Sequence, residues 1–376
     1  MVGHRVRLKD IAEATGFSVN TVSLAIRGSL RIPSETRDRI LADAKRQGYL
    51  PNQVARSLVS RATKTVGIII PDVMNPTLTS SALSLERRLA TAGFSMMLAV
   101  SNNVIDQERK ALEVFRSHQL DGILIYPVTH RQLDHIRPLR KSGYPIVLLV
   151  ADPDAGLDVV CIDERLGAFT AVSHLLALGH KRVGILDPAK SLGNSEKADG
   201  YARALNKYGL AVDPTLVIDP RGHGPASGYD GMSELMQRRR PPTAVFAGND
   251  RLAIGAIRWC RERGVRVPED IAIVGFDDNE AASFTDVPLT TMRYEVDDVA
   301  DHAVKRLLAL IHRSGSAPKP ERVLIKPRLV VRQSCGALLR ARPGVPRSSR
   351  PKLKIMRNGP RARLATATPA TETPRR

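Results

Sequence analysis

Two groups of side chains in this chain have the types and spacing to do chemistry, and both are built for recognition. The first lies in SVNTVSLAIRG. Read as a helix at roughly 100° per residue, Val19, Asn20, Ser23, Leu24 and Arg27 share one arc about 140° wide. Val22, Ala25 and Ile26 take the opposite side. An outward arc of amide, hydroxyl, guanidinium and apolar groups suits a helix that reads base edges. Ser18 and Thr21, at the start of the same helix, are counted with it. The plain alternative is a helical hairpin with a solvated face. The second group is Asn75, Lys197, Asn249, Asp250 and Asp277, which follow or neighbour expected strand ends. Amides and carboxylates on rigid backbone offer a polyol several hydrogen bonds at once. For Asp250 two readings stand, ligand contact or capping of the following helix; Asp278 is a further cap candidate.

Catalytic sets are missing. There is no GxGxxG, no phosphate-binding loop and no nucleophile with an identifiable His and Asp partner. His174 and His180 stand six apart, a spacing that does not place both on one helix face for a metal. They read as a surface residue and a helix-end residue. Cys161, Cys260 and Cys335 are odd in number and widely separated, so reduced thiols are expected and no metal or cofactor is.

The elements that must position these groups are legible in outline. In RLKDIAEATGF, Leu8, Ile11, Ala12 and Ala14 mark a first helix that stops at Gly16. Ser18 caps the second helix, and Ala12, Gly16 and Val22 hold the small, turn and apolar positions of a helix-turn-helix. A third helix is expected from Thr36 to Gln47, with Ser34 as cap and Gly48 as stop. A connector follows, in which Pro51 breaks the chain and Asn52 caps a short helix through Leu58. From Thr65 the apolar runs VGIII, FSMMLAV, DGILIY and PIVLLV, then KRVGILD, LVID, TAVFA and DIAIVGF, alternate with amphipathic stretches. Such runs mark parallel strands covered on both faces, in two doubly wound α/β subdomains of similar plan. Ligands in such sheets bind beyond the carboxyl ends of strands.

Charge divides the same way. Of the net +19, residues 1–64 carry +7 and residues 337–376 carry +10, leaving a nearly neutral middle. A basic end is what phosphate neutralisation needs. The Pro/Arg-rich stretch 337–376 lacks periodicity and reads as a disordered tail. No apolar run reaches about 18 residues, so no membrane span is expected. MVGHRVRLKD lacks the apolar stretch of a secretory signal, which points to the cytoplasm.

The runs LKDIAEATGFSVNTVS, ETRDRILADAKRQGYLPNQVARSL, VGIIIPDVMNP, DGILIYP, HLLALGHKRVGIL, PPTAVFAGNDRLAIGA and VPEDIAIVGFDD with PLTTMR occur here in order. Together they resemble the LacI/GalR family of bacterial transcriptional regulators over residues 6–334. The resemblance implies a helix-turn-helix headpiece (1–50), a hinge helix and linker (51–64) and a periplasmic-binding-protein-like body (65–336) of two α/β subdomains, crossed more than once by the chain. It implies a dimer on a pseudo-palindromic double-stranded DNA operator and a small effector, a sugar or related metabolite, in the cleft of the body. By matched position, Val19, Asn20 and Leu24 would meet base edges. Leu58 would wedge into the minor groove, with Ala55 small enough for two hinge helices to approach and Arg56 at phosphate. Asn75, Thr77, Tyr126, Lys197, Asn249, Asp250 and Asp277 would line the effector cleft.

Four positions depart from the family's pattern. Leu24 stands where an arginine is frequent, exchanging a bidentate guanine contact for an apolar one. Arg7 replaces a capping threonine and keeps only a phosphate contact. Thr77 replaces a common aromatic, and Lys197 replaces an arginine, losing the planar fork but keeping the charge. A secreted binding protein would share the body but not the basic headpiece. Tetramer formers in the family append a leucine heptad, and residues 337–376 have none.

Overall fold

The computed structural model describes residues 6–50, 62–153, 155–313, 315 and 318–340. The chain divides into two compact units, residues 1–64 with 119–121 and the remainder.

In the first unit, α1 (Leu8–Thr15), α2 (Val19–Ile26) and α3 (Ser34–Arg46) enclose a small core of Ile11, Ala12, Val22, Ala25, Ile40 and Ala44. Gly16 terminates α1 at φ 78°, a left-handed turn that a side chain would strain, and the chain reverses there into α2. The apolar face of α1 differs from expectation by one residue. Ala14 is exposed and Thr15 is buried, because positions 8, 11, 12 and 15 share a face at 3.6 residues per turn. The Thr15 hydroxyl is satisfied by donating to the Ile11 carbonyl at 2.6 Å. Ser34 begins α3 and does not cap it; Pro33 occupies the cap position and no side chain bonds there.

The second unit contains two six-stranded sheets. Its first half runs β1 (Thr65–Ile70), α4 (Pro76–Thr91), β2 (Ser95–Val100), α5 (Ile105–Ser117), β3 (Gly122–Ile125), α6 (Arg137–Lys141), β4 (Ile146–Leu148) and β5 (Val159–Ile162). The chain then passes to α7 (Glu164–Ala177), β6 (Val183–Leu186), α8 (Ala189–Leu192), α9 (Glu196–Lys207), β7 (Val217–Ile218), α10 (Pro225–Met236), β8 (Ala244–Ala247), α11 (Asp250–Glu262), β9 (Ala272–Asp277), α12 (Ala281–Phe284) and β10 (Thr290–Arg293). It ends with α13 (Val296–Ile311), β11 (Arg322–Ile325), β12 (Arg328–Val330) and α14 (Ala337–Arg340).

The strand orders are β11-β5-β4-β3-β1-β2 and β12-β10-β9-β8-β6-β7. All pairs are parallel except β10 with β12. The chain crosses between sheets three times, after β5, after β10 and after β11. Continuous apolar runs such as GILI and AVFA are fully buried because helices cover both sheet faces. Strands β5, β10, β11 and β12 belong to no run expected to be a strand. They are short, and Lys, Arg and Pro interrupt their surroundings. Ala337 packs against the core of the second sheet, so residues 337–340 belong to the body rather than to the expected tail.

Helices α7 and α9 lie close enough that a Cβ at Gly200 would fall inside contact distance of the Arg165 carbonyl oxygen and the Ala168 methyl. Backbone cannot yield there as a flexible side chain would. Gly200→Ala is therefore expected to cost about 1–3 kcal/mol by overpacking, read as a lower melting temperature. An unchanged melting temperature would contradict the close approach.

Candidate functional site

Helix α2 is capped as expected: the Ser18 hydroxyl accepts from the Thr21 N–H at 3.1 Å and pairs with the Thr21 hydroxyl at 2.9 Å. Val22 and Ala25 are buried and Ile26 packs partly on the same core. Val19, Asn20 and Arg27 are exposed, with Thr21, Ser23 and Leu24 partly so. The Arg27 guanidinium folds back, its Nε donating to the Ser23 carbonyl at 3.1 Å. Arg7 retains half of a capping box, because its N–H donates to the Asp10 carboxylate at 2.7 Å, and its side chain is exposed. Asn52, Ala55, Arg56 and Leu58 lie outside the described residues.

In the second unit, the candidate side chains sit where the two sheets end. Asn75 follows β1 and caps α4, accepting from the Thr77 N–H at 3.2 Å. The Thr77 hydroxyl donates across to the Asp277 carboxylate at 3.3 Å, joining the end of β1 to the end of β9. The Tyr294 hydroxyl, just beyond β10, reaches the other Asp277 oxygen at 3.5 Å. The Tyr126 hydroxyl pairs with Ser81 at 2.8 Å, and burial pushes its pKa up to about 12. Asp277 has φ 113°, a strained conformation for any side-chain-bearing residue. Burial pushes its carboxyl up to about 7, with Lys197 opposing the shift.

Lys197 does not follow a strand. It occupies the first turn of α9, and its side chain is largely buried, with 16% exposed. It is paired with Glu164 and lies 5.0 Å from the centroid of the Phe276 ring. Burial acts against the ammonium, but Glu164 and Asp187 outweigh it and hold its pKa above the usual lysine range. The second Glu164 oxygen accepts from the Asn194 amide at 2.7 Å.

The two readings of Asp250 resolve against ligand contact. Asp250 is 0% exposed, with one oxygen accepting from the Thr291 hydroxyl at 2.5 Å and the other from the Asn279 N–H at 2.9 Å. Asn249 caps α11, accepting from the Leu252 N–H at 2.8 Å, and Asp278 pairs with Arg332 at 2.7 Å instead of capping. Asp250 thus braces β10 and the loop after β9 behind Asp277. His174 and His180 are likewise structural: one lies 3.3 Å from the Cys335 sulfur, the other 3.1 Å from the Thr243 hydroxyl.

Glu164, Asp187, His130 and Tyr294 join this region without having been singled out from sequence. Asp187 ends the run KRVGILD, so the rule of searching beyond strand ends covers it. Glu164 follows β5, a strand that went unrecognised. Burial raises the Asp187 carboxyl to about 7, Lys197 opposing, and lowers the His130 imidazole to about 4.

A raised carboxyl pKa has a definite consequence for stability. Asp187 and Asp277 ionise near 3.8 when unfolded and near 7 when folded. Their stabilising contribution is therefore fully present below about pH 4 and is lost as pH rises through about 7. Asp277→Asn, neutral at every pH, is expected to melt higher than the parent at pH 8, with the difference shrinking toward pH 4. A difference independent of pH would contradict the raised pKa.

Comparison with known proteins agrees with this architecture. Residues 7–52 match the model of bacterial regulatory proteins of the lacI family, and residues 172–335 match a periplasmic binding protein-like domain. The HTH-type transcriptional regulator DegA of Bacillus subtilis is 30% identical over 338 residues, 89% of this chain and 99% of the relative. The HTH-type transcriptional repressor PurR of Haemophilus influenzae is 31% identical over 337 residues, 88% and 99% of the two chains. The lac repressor dimer bound to operator and an anti-inducer has the same fold, with TM-score 0.79 and 24% identity over 88% of this chain and 99% of that one. With its headpiece, its two-sheet body and relatives matched over nearly their full length, the chain belongs to the lacI family of bacterial regulatory proteins and is a DNA-binding transcriptional regulator with an effector-binding domain.

Proposed function

We propose that this regulator acts as a repressor: a homodimer on a pseudo-palindromic operator, whose affinity is set by a small polyhydroxylated effector bound between the two halves of the body. The role is binding without turnover. The observation that carries the reading is the joint occurrence, in one chain, of an α2 with exposed Val19, Asn20 and Arg27 and a body whose strand ends converge on Asp277. The lac repressor of the same fold is a dimer bound to operator, which supports the operator part. Exposed Leu83 on α4 and Leu98 on β2 supply apolar surface for a body-mediated dimer.

In the headpiece, Asn20 and Val19 address base edges, Leu24 makes an apolar contact such as with a thymine methyl, and Ser18, Thr21, Ser23, Arg27 and Arg7 contact backbone or flanking groups. From sequence alone, the hinge around Asn52, Ala55, Arg56 and Leu58 is too short for a stable isolated helix and folds when two copies meet on DNA. In the cleft, Asn75, Thr77, Tyr126, Lys197, Asn249 and Asp277 address the effector. Among the described residues no helix is long and apolar enough to cross a membrane.

Binding-site enrichment from random duplexes tests the operator reading. The parent should select a pseudo-palindrome. Asn20→Ala should relax one position in each half-site at a cost of about 1–3 kcal/mol. Selection of the same sites by the variant would remove Asn20 from the readout. Leu58→Ala should weaken specific binding and reduce the bend in a circular-permutation gel assay, with headpiece folding intact. Unaltered bending and affinity would leave only phosphate contacts in the hinge.

A further inference from the structure

A basic surface that the effector cleft does not use lies at the amino ends of the second sheet's strands. Lys181 and Arg182 precede β6, and Arg238, Arg239 and Arg240 precede β8. The two loops touch: Arg182 donates to the Arg240 carbonyl at 2.7 Å, and the Thr243 N–H donates to the Arg182 carbonyl at 2.9 Å. Three cations of this end are neutralised, Arg182 by Asp213 at 3.1 Å, Arg238 by Glu234 at 2.5 Å and Arg266 by Asp270 at 2.7 Å. Lys181, Arg239 and Arg240 are exposed and form no ion pair among the described residues.

The chain leaves the body at the same end. The Ile273 N–H, at the start of β9, donates to the Ser334 carbonyl at 2.8 Å, and Gly336 stands against Pro268 in the loop before β9. Helix α14 follows at once, with Ala337 on the core of the second sheet. Residues 341–376 then carry ten Lys and Arg against one Glu, and no Phe, Tyr or Trp. Fixed cations on a folded edge and a basic segment leaving beside them make one face for a polyanion. Without aromatic residues the segment offers unpaired bases no stacking platform, so the polyanion it fits is duplex backbone. The cleft takes the carboxyl ends of both sheets, joined by Thr77 and Asp277. Their amino ends therefore point away from each other, and the connector from the headpiece enters at the amino end of β1, in the first sheet.

We propose that Lys181, Arg239, Arg240 and the basic segment 341–376 form a second, sequence-independent DNA-binding surface, which holds a duplex other than the one read by α2. Its contacts are to phosphate and ask nothing of base order. Each phosphate neutralised releases counterions, so the contribution fades as salt rises. The headpiece already brings the chain to DNA, which makes neighbouring duplex the polyanion at high local concentration.

The full chain is compared with the combined substitution Lys181→Gln, Arg239→Gln and Arg240→Gln and with a chain ending at Arg340. The three replaced side chains are exposed and unpaired, so unchanged melting curves are expected and verify folding. Binding of a random-sequence duplex is measured from about 50 to 200 mM salt. Each phosphate contact contributes about −0.9 to the slope of log K against log salt. The triple variant should therefore lose about 2–3 from that slope, and the shortened chain at least as much. A slope unaltered in the triple variant overturns the proposal, even where shortening lowers it, since the basic segment would then act without the body. This measurement needs no operator, so failure of the operator reading leaves it standing. A second arm holds the parent on an immobilised duplex that it has selected by enrichment. At about 50 mM salt it should retain a labelled random-sequence duplex, and both variants should retain at least about fivefold less. No retention, or equal retention by all three chains, overturns the proposal. Vesicles of phosphatidylglycerol and phosphatidylcholine are the counter-test. Vesicle binding that is lost in the triple variant while its duplex slope is unaltered assigns the face to a lipid surface instead.

Discussion

The three passages of the backbone between the two sheets are the constraint from which the cleft follows. Each passage leaves a strand at its carboxyl end and must satisfy the freed backbone groups at once. After β5 the Asp163 N–H donates to Ile325 at 2.9 Å while the Asp163 carboxylate caps α7 through Leu166 at 2.9 Å. Glu164 is the next residue. After β10 the next residue is Tyr294. The side chains nearest the passages are therefore also those at the ends of the strands, where parallel sheets leave a crevice. Polar residues collect there because the backbone's own needs require them.

Electrostatics within that crevice is organised by one pair. Lys197 and Glu164 neutralise each other in a partly buried place, and Asn194 takes the remaining Glu164 oxygen. A buried pair lacking such support would gain little over apolar packing. Its support comes from packing: Gly200 lets α9 approach α7 so closely that residues one turn into each helix meet. An arginine at 197 would bring a longer, planar donor set. The lysine instead makes a point contact with Glu164 and lies over the Phe276 ring, and its charge acts against burial in lowering the carboxyls of Asp187 and Asp277.

Periodicity made the headpiece and most central strands legible, because their residues are chosen by burial. Val22 and Ala25 face inward and Asn20 outward as the 100° spacing requires, and Ala14 went astray because it lies one position off the 8, 11, 12, 15 stripe. Strands β5, β10, β11 and β12 were not legible. They sit on the side of each sheet where the chain changes subdomain, and β11 and β12 are edge strands with charged residues and prolines beside them. Missing β5 hid Glu164. The roles of Asn249 and Asp250 could not be divided from sequence, since adjacent polar residues at a helix start are equivalent until one is seen to bond the Leu252 N–H and the other to turn toward Thr291.

The cross-cleft bonds also bound how an effector could act. Between the ends of β1 and β9 the protein itself supplies a hydroxyl bond from Thr77 to Asp277, and the Arg251–Asp72 pair joins α11 to the loop after β1. Both contacts oppose separation of the two halves. A ligand shifts the balance between more open and more closed arrangements only by the difference in its affinity for the two. Converting a 1:99 population to 99:1 takes about 5.5 kcal/mol. Hydrogen bonds to charged groups contribute about 1.5–3 kcal/mol each, so about two to four of them suffice if they engage both halves. Contacts confined to Asp187, Lys197 and Asp277 would all belong to the second sheet and would tighten binding without moving anything. On the proposed site, coupling would require Asn75, Thr77 or Tyr126 as well. The substitution of a short hydroxyl at 77 for an aromatic makes this more demanding, because a small side chain reaches the ligand only when the halves are close.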